Sequence, residues 1–292
     1  MNESSKKKRR FLWAAIPGVL ILGAAVSLFL SACGLQVSRY SIVSPKLTES
    51  IRIVQLTDLH NSEFGRGNRR LIEKTAAQEP DLILITGDLL DQSSDRTDIA
   101  EALIRGLAEI APVYVSYGNH EAAAERLYGL YLRELYTAAG AVVLEYDWLD
   151  VTVNGQDLRL GGIYGYCLPA RYTDNGEGWP KESDYVTAFQ DTDVLKLLMC
   201  HMPVCWLRSG GLDAWDVDLV FAGHTHGGQI RFPWIGGLWA PDVGWFPGRE
   251  AGLYFSKDET KVLILSKGLG STEKVPRFNN MPEITVVDLI PG

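Results

Sequence analysis

The chain has 292 residues, 46% hydrophobic and 22% charged, with 29 glycines, 13 prolines and four cysteines. These are ordinary globular proportions: they exclude a disordered chain, a collagen-like repeat and a disulfide-dense mini-protein, and a body of this size folds without a metal or staple. The net charge is −8, and the part from Gly34 onward carries −12 because five basic residues and one acidic residue precede it; so acidic a body is expected to have no nucleic-acid partner, although a phosphorylated substrate stays compatible if bound cations supply positive charge.

The chain opens with a basic block, Lys6 to Arg10, and then carries no charged residue from Phe11 to Ser38. Residues 11–33 are long enough to cross the hydrocarbon core as a helix, which takes about 20 residues. A buried core helix is a poor alternative, because such helices rarely read apolar on every face. The basic block is expected to stay in the cytoplasm, which places the body on the outer side of the cell membrane. Leu30-Ser31-Ala32-Cys33 resembles a bacterial lipoprotein signal, which would make Cys33 the lipidated terminus. Arg9-Arg10-Phe11-Leu12 is loosely similar to a twin-arginine export signal. The apolar run exceeds the roughly 7–15 residues of a cleaved signal, so residues 1–33 are expected to be a signal anchor, with a lipoprotein signal as the alternative. The body then holds only Cys167, Cys200 and Cys205, with no C-x-x-C pair, and these are expected to be mostly packing residues.

Residues 34–50 read as a connector and residues 51–292 as one domain, expected to be a monomer. Ile51 to Val54 reads as a strand, Asn68 to Gln78 as an amphipathic helix, and Leu82 to Ile85 as a buried strand. Ile99 to Ile110 is a predicted helix, Val113 to Val115 a strand, and Glu121 to Ala139 a longer helix. This alternation predicts an α/β fold with parallel pairing. Val151 to Ile163 reads as a hairpin turning at Asn154-Gly155. Residues 165–182 read as a surface loop. Later strands are predicted at Leu195 to Cys200, Leu219 to Ala222, Leu253 to Ser256, Val262 to Ser266 and Ile284 to Leu289.

All five histidines of the chain, His60, His120, His201, His224 and His226, fall just after predicted strands. So do Asp58, Asp88 and Asn119. In an open α/β sheet, ligands bind outside the carboxyl ends of the strands, so five separate segments would deliver oxygen and nitrogen donors to one rim. Residues two apart on an extended chain project to the same side, which would let Asp58 and His60 share an ion. Glycines before Asp88, Asn119 and His224 permit tight turns and close backbone approach. Mixed imidazole and carboxylate donors suit Mn, Fe or Zn better than Ca or Mg. A single histidine after a strand is more often a hydrogen-bonded loop residue; what points to metal chemistry is that all five recur in this pattern.

This order of motifs resembles the calcineurin-like metallophosphoesterase superfamily. It runs from Asp58-Leu59-His60 through Gly87-Asp88-Leu89-Leu90-Asp91 and Gly118-Asn119-His120-Glu121 to His201 and Gly223-His224-Thr225-His226. The flanks, Gly227-Gly228-Gln229-Ile230-Arg231 and Lys267-Gly268-Leu269-Gly270 through Arg277-Phe278 to Pro282-Glu283-Ile284, are similar to its membrane-anchored bacterial branch. The resemblance covers residues 50–290 and implies a four-layer αββα sandwich around a dinuclear centre of divalent metal ions. It implies Asp58, His60, Asp88 and His226 on one metal, and Asp88, Asn119, His201 and His224 on the other. It also implies His120 as the leaving-group acid, oriented by Asp91. The family's arginine after that aspartate is absent, with Gln92 in its place, so no arginine is assigned to the phosphate.

The expected activity is hydrolysis of a phosphodiester or pyrophosphate. A phosphomonoesterase or protein phosphatase is the first alternative, and a binding lipoprotein without turnover the second. The segment from Phe232 to Trp239 and the other tryptophans of the body (Trp148, Trp179, Trp206, Trp215 and Trp245) are either ordinary packing or an apolar surface for a lipid-linked substrate. Arg277 and Lys274 could contact phosphate or be structural.

Overall fold

The computed structural model describes residues 3–165, 167, 180–208, 210–271 and 275–292. Helix α1 (Glu3–Cys33) is continuous through Pro17, and its stretch Ile16–Cys33 is apolar, almost wholly exposed and long enough to cross a membrane. The chain then continues through β1 (Gln36–Ser44), β2 (Ile51–Leu56), α2 (Arg69–Ala76), β3 (Leu82–Thr86), α3 (Asp98–Ala108), β4 (Val113–Ser116), α4 (Asn119–Tyr128), α5 (Leu132–Ala138) and β5 (Ala141–Val143). After these come β6 (Asp147–Val153), β7 (Gln156–Ile163), α6 (Pro180–Phe189), β8 (Leu195–Cys200), α7 (Val204–Arg208), α8 (Gly211–Ala214) and β9 (Leu219–Ala222). Four two-residue strands make two small ribbons: β10 (Arg231–Phe232) with β11 (Gly236–Gly237), and β12 (Trp239–Ala240) with β13 (Gly244–Trp245). Strands β14 (Gly252–Phe255), β15 (Val262–Leu265) and β16 (Glu283–Pro291) complete the fold.

Two six-stranded sheets form, in the orders β1-β16-β2-β3-β4-β5 and β14-β15-β9-β8-β7-β6. Their central strands are apolar at nearly every position because both faces are covered, and side chains alternate between faces with a period of two. Ile53, Leu82, Leu84 and Val287 of the first sheet pack against Leu160, Leu197, Phe221 and Ile264 of the second. The opposite faces carry Val54, Ile83 and Ile85 against α2, α3 and α5, and Leu198, Val220 and Leu263 against α6, α7 and α8. The result is the expected αββα order of layers. Each fully buried Leu, Ile or Val contributes roughly 1.5–3 kcal/mol, so these three clusters dominate stability.

The sequence reading needs three corrections. The 34–50 connector contains β1, which pairs in parallel with β16 from Gln36↔Glu283 to Ser44↔Pro291. It mixes polar residues with Val37, Ile42 and Val43 on both faces, as an edge strand allows, so hydropathy alone did not mark it. The helix read from Glu121 to Ala139 is two helices. Gly129, at φ 67, ends α4 with its N–H on the Glu125 carbonyl, the usual left-handed helix stop. The stretch read as loop 165–182 reaches into α6, and most of it, Trp179 included, lies outside the described residues. The hairpin turn is as expected, with Asn154 at φ 50 and Gly155 at φ 77. Cys167, Cys200 and Cys205 are buried in the layer beneath α6 and α7 and form no disulfide.

Candidate metal centre

Asp58, Asp88, Asn119, His201 and His224 follow the carboxyl ends of β2, β3, β4, β8 and β9 in the turns that leave those strands. Five of the predicted donors sit on left-handed backbone: Asp58 (φ 53), His60 (φ 47), Asp88 (φ 54), His224 (φ 70) and His226 (φ 48). A non-glycine residue in this region costs about 1–2 kcal/mol, although Asp, Asn and His tolerate it best. Asp58 and His60 therefore do not reach a common site by extended alternation, as the sequence suggested; two left-handed turns bring them there. Interlocking backbone bonds hold those turns, Asp58 N–H to the Gly87 carbonyl and His60 N–H to the Asp88 carbonyl, each 3.0 Å. Gly118 and Gly223 are needed for close approach: a Cβ on either would overlap the carboxylate of Asp88 or Asp58 respectively.

The donors converge. Asp58 Oδ1 lies 3.8 Å from His226 Nε2, 3.9 Å from His60 Nε2 and 4.0 Å from His201 Nε2. Asp88 Oδ2 lies 3.0 Å from His201 Nε2, 3.7 Å from His60 Nε2 and 4.0 Å from His120 Nε2. Donor atoms of Asp58, His60 and His226 all fall within 4.8 Å of one another, as do those of Asp88, His201 and His224. Asn119 lines the same cavity. All seven predicted ligands and His120 are thus at one place. Separations of 3–4 Å are mostly too long for hydrogen bonds but match donors that each stand about 2.0–2.2 Å from an ion between them.

Electrostatics point the same way. Asp58 and Asp88 are fully buried, which favours protonation, yet the surrounding imidazoles hold both pKa values well below the usual carboxylate range. Burial opposes a charge on His201, but Asp88 and Asp58 outweigh it and push its pKa up to about 10. His226 goes the other way: burial, aided by nearby His60 and Arg277, outweighs Asp58 and keeps it neutral. Both ring nitrogens of His60, Nε2 of His201 and Oδ1 of Asn119 are buried without a hydrogen-bond partner. Two anionic carboxylates among unpartnered imidazole nitrogens fit divalent cations, which would satisfy every one of these groups except one ring nitrogen of His60.

Neighbouring groups fix the ring orientations. The His201 Nδ1–H donates to the Thr86 carbonyl at 2.7 Å, which leaves Nε2 for an ion. His224 Nε2–H donates to Asp242 at 3.0 Å, which leaves Nδ1. His120 Nδ1 accepts the Gln92 N–H at 3.0 Å, so the neutral ring carries its proton on Nε2, facing Asp88. The expected partner of His120 differs: Asp91 accepts the Ser93 N–H and forms no hydrogen bond with the ring, though it lies close enough to act on it through charge. Burial outweighs the carboxylates at His120 and lowers its pKa, which fits a neutral donor rather than a charged one.

Two further residues escaped the sequence reading. Glu121 is wholly buried, and its carboxylate accepts N–H groups from Gly118 (2.8 Å), Asp88 (2.7 Å) and Leu90 (3.1 Å). It thereby ties the β3 and β4 loops together. Its signal was its place at the third residue of α4, where a glutamate reaches back over the helix start. Asp242 gave no signal, because its partner is 18 residues away across an irregular ribbon. Arg277 is buried beside the cluster: its guanidinium donates to the Gly270 and Lys267 carbonyls, Nη2 stands 3.5 Å from His226 Nδ1, and Nη1 has no hydrogen-bond partner. Lys274 lies outside the described residues.

A cavity of about 510 Å³ opens on this cluster, with Asp88, Asn119, His120, His224 and His226 as its floor. Its walls are Ile230, Leu238, Trp239, Pro241, Trp245 and Val275, and no lysine or arginine lines it among the described residues. The tryptophans divide accordingly. Trp206 and Trp215 are core and Trp148 packs on Tyr185 and Phe189, whereas Trp234, Trp239 and Trp245 are exposed near the cavity.

The family model for calcineurin-like phosphoesterases matches residues 51–228. The chain is 26% identical over 282 residues to the uncharacterised protein YpbG of Bacillus subtilis, covering 94% of this chain and 96% of that one. It is 27% identical over 256 residues to the uncharacterised metallophosphoesterase YkuE of the same organism, covering 85% and 82%. It is 28% identical over 253 residues to the phosphodiesterase YaeI of Escherichia coli, covering 82% of each.

Proposed function

Because the chain belongs to the calcineurin-like phosphoesterases, a family of metal-dependent hydrolases, we propose that it cleaves a phosphodiester or pyrophosphate at a pair of divalent cations. The observation that carries the choice of substrate is the apolar, cation-free wall beside the cluster. A monoester dianion would find no basic side chain there, and Gln92 stands where the family's arginine would be. A second ester group, by contrast, fits an apolar wall. The relative named as a phosphodiesterase supports the same choice.

Asp58, His60, Asp88 and His226 would hold one ion, and Asp88, Asn119, His201 and His224 the other. Imidazole and carboxylate donors suit Mn, Fe or Zn. Such a pair supplies a water of near-neutral pKa and neutralises charge on the phosphoryl oxygens. The water oxygen forms the new bond to phosphorus while the bond to the leaving oxygen breaks. His120 Nε2–H donates to that leaving oxygen, and the Gln92 N–H keeps the ring in the tautomer that can do so. The proton released by the attacking water ends on the leaving oxygen, and His120 stays neutral throughout, stabilising that oxygen by its hydrogen bond. His120→Ala should lower kcat about 10²–10⁴-fold with bound metal unchanged, as metal analysis of the variant would verify; a variant that loses its metal contradicts the role.

The substrate assignment is tested with bis(p-nitrophenyl) phosphate against p-nitrophenyl phosphate, with added Mn²⁺ and with chelator. The diester should be preferred by about tenfold or more in kcat/KM, a difference of about 1.4 kcal/mol in the barrier, and chelator should stop both reactions. A preference for the monoester would favour a phosphatase. The membrane reading belongs to the same proposal: residues 11–33 anchor the chain, and the basic block places the body outside the cytoplasm.

A further inference from the structure

The apolar cavity does not end in open polar surface. The two ribbons around Trp239 and Trp245 also form a lip of large exposed side chains, Phe232, Ile235, Phe246 and the fully exposed Trp234. Soluble surfaces rarely gather so many apolar side chains within fifteen residues, so the patch calls for an apolar occupant.

The N-terminal helix indicates which one. The Ser27 hydroxyl accepts the Asn279 N–H (2.9 Å) and the Ser31 hydroxyl accepts the Asn280 N–H (3.1 Å). Asn279 in turn donates to the carbonyl of Arg231, in the first strand of the lip, at 3.2 Å. Asn280 donates to the carbonyls of His226 (2.7 Å) and Gln229 (3.1 Å), which border the cluster and the cavity. One short relay therefore joins the apolar helix, the lip and the catalytic floor.

The lengths matter. Ser27 lies about 9 Å along the helix from Cys33 at 1.5 Å per residue. Residues 11–33 span about 34 Å against a hydrocarbon core of about 30 Å. A helix centred in that core carries Ser27, and the loop bonded to it, about 7 Å below the outer boundary of the hydrocarbon. That is within the roughly 5–10 Å to which interfacial apolar groups sink.

Resting on the phosphodiesterase reading above, we propose that the substrate is a membrane amphiphile. Its phosphoester reaches the cluster while its alkyl or acyl chain lies along Ile230, Leu238, Trp239, Trp245 and Val275. It enters from the bilayer across a lip that is itself immersed. A soluble partner protein on the lip is the competing occupant, but such a partner would have to compete with the bilayer that the attached helix holds against it.

The test uses the full-length protein in vesicles of digalactosyl diacylglycerol, which carry no phosphate, with Mn²⁺. The substrates are methyl, hexyl and dodecyl p-nitrophenyl phosphate. From methyl to hexyl, kcat/KM should rise roughly two- to fourfold per methylene, as expected when each is withdrawn from water. The lip variant Trp234→Ser/Ile235→Ser should cleave the methyl diester normally but lose about tenfold or more on the dodecyl diester, a drop of about 1.4 kcal/mol in transition-state stabilisation. A flat chain-length series, or a lip variant as fast as wild type on the dodecyl diester, overturns the proposal. Failure to cleave even the methyl diester overturns the phosphodiesterase reading on which it rests.

Discussion

Asp88→Ala should leave a folded protein that holds neither ion and turns over no phosphoester. Asp88 carries the carboxylate that lies closer to both halves of the cluster, 3.0 Å from His201 and 3.7 Å from His60, where Asp58 stands 4.0 Å from His201 and 3.9 Å from His60. Removing it deletes an anion from each proposed ion site at once. Activity should fall by more than the roughly 10²–10³-fold lost when a single transition-state donor is removed. Alanine also loses the bond from the His120 N–H to Asp88 Oδ1 (2.9 Å) and tolerates left-handed backbone poorly. Asp88→Asn separates these effects, because asparagine keeps the shape, the acceptor and the backbone preference but not the charge. Both variants should show near-zero metal by elemental analysis, and Asp88→Asn should unfold at nearly the wild-type denaturant concentration. An Asn variant that retained two ions would remove Asp88 from its bridging role.

Glu121→Ala should be the most destabilising single change near the site. It strands three buried N–H groups, at roughly 1–3 kcal/mol each, for a loss of about 3–9 kcal/mol. Against a typical total of about 5–15 kcal/mol, that is enough to shift the denaturant midpoint sharply. Glu121→Gln should cost less, because an amide oxygen can still accept one or two of these bonds while its NH₂ faces the others. Metal affinity should fall alongside stability, since the same carboxylate fixes the N–H of Asp88 and that of Gly118. A Glu121→Ala protein of wild-type stability would mean that water replaces the carboxylate.

Much of this was legible in the residues themselves. Runs such as Leu82 to Ile85 and Leu219 to Ala222 are apolar on both faces, and only covered central strands read so. The donors were legible because they are chemically distinctive and follow the strands. What stayed hidden depends on partners far away in the chain. Gln36 to Ser44 is a strand only because β16 lies beside it. Nothing local in Asp242 announces His224, and Gln92 displaces Asp91 as the partner of His120 through a backbone N–H that composition cannot reveal. The left-handed turns at Asp58, His60 and Asp88 were hidden for a related reason: these residue types permit that backbone but do not demand it.

The place of β16 has a consequence for how the molecule comes into being. This last strand lies between β1 and β2, with Val286 and Val287 fully buried. Until it arrives, the strand bearing Asp58 has an open flank, and the apolar rows on both of its faces are only half covered. A growing polypeptide emerging from N- to C-terminus therefore cannot finish its first sheet, nor assemble its donors, before β16 is delivered. Deletion of Glu283–Pro291 should release an aggregating chain rather than a weakened hydrolase.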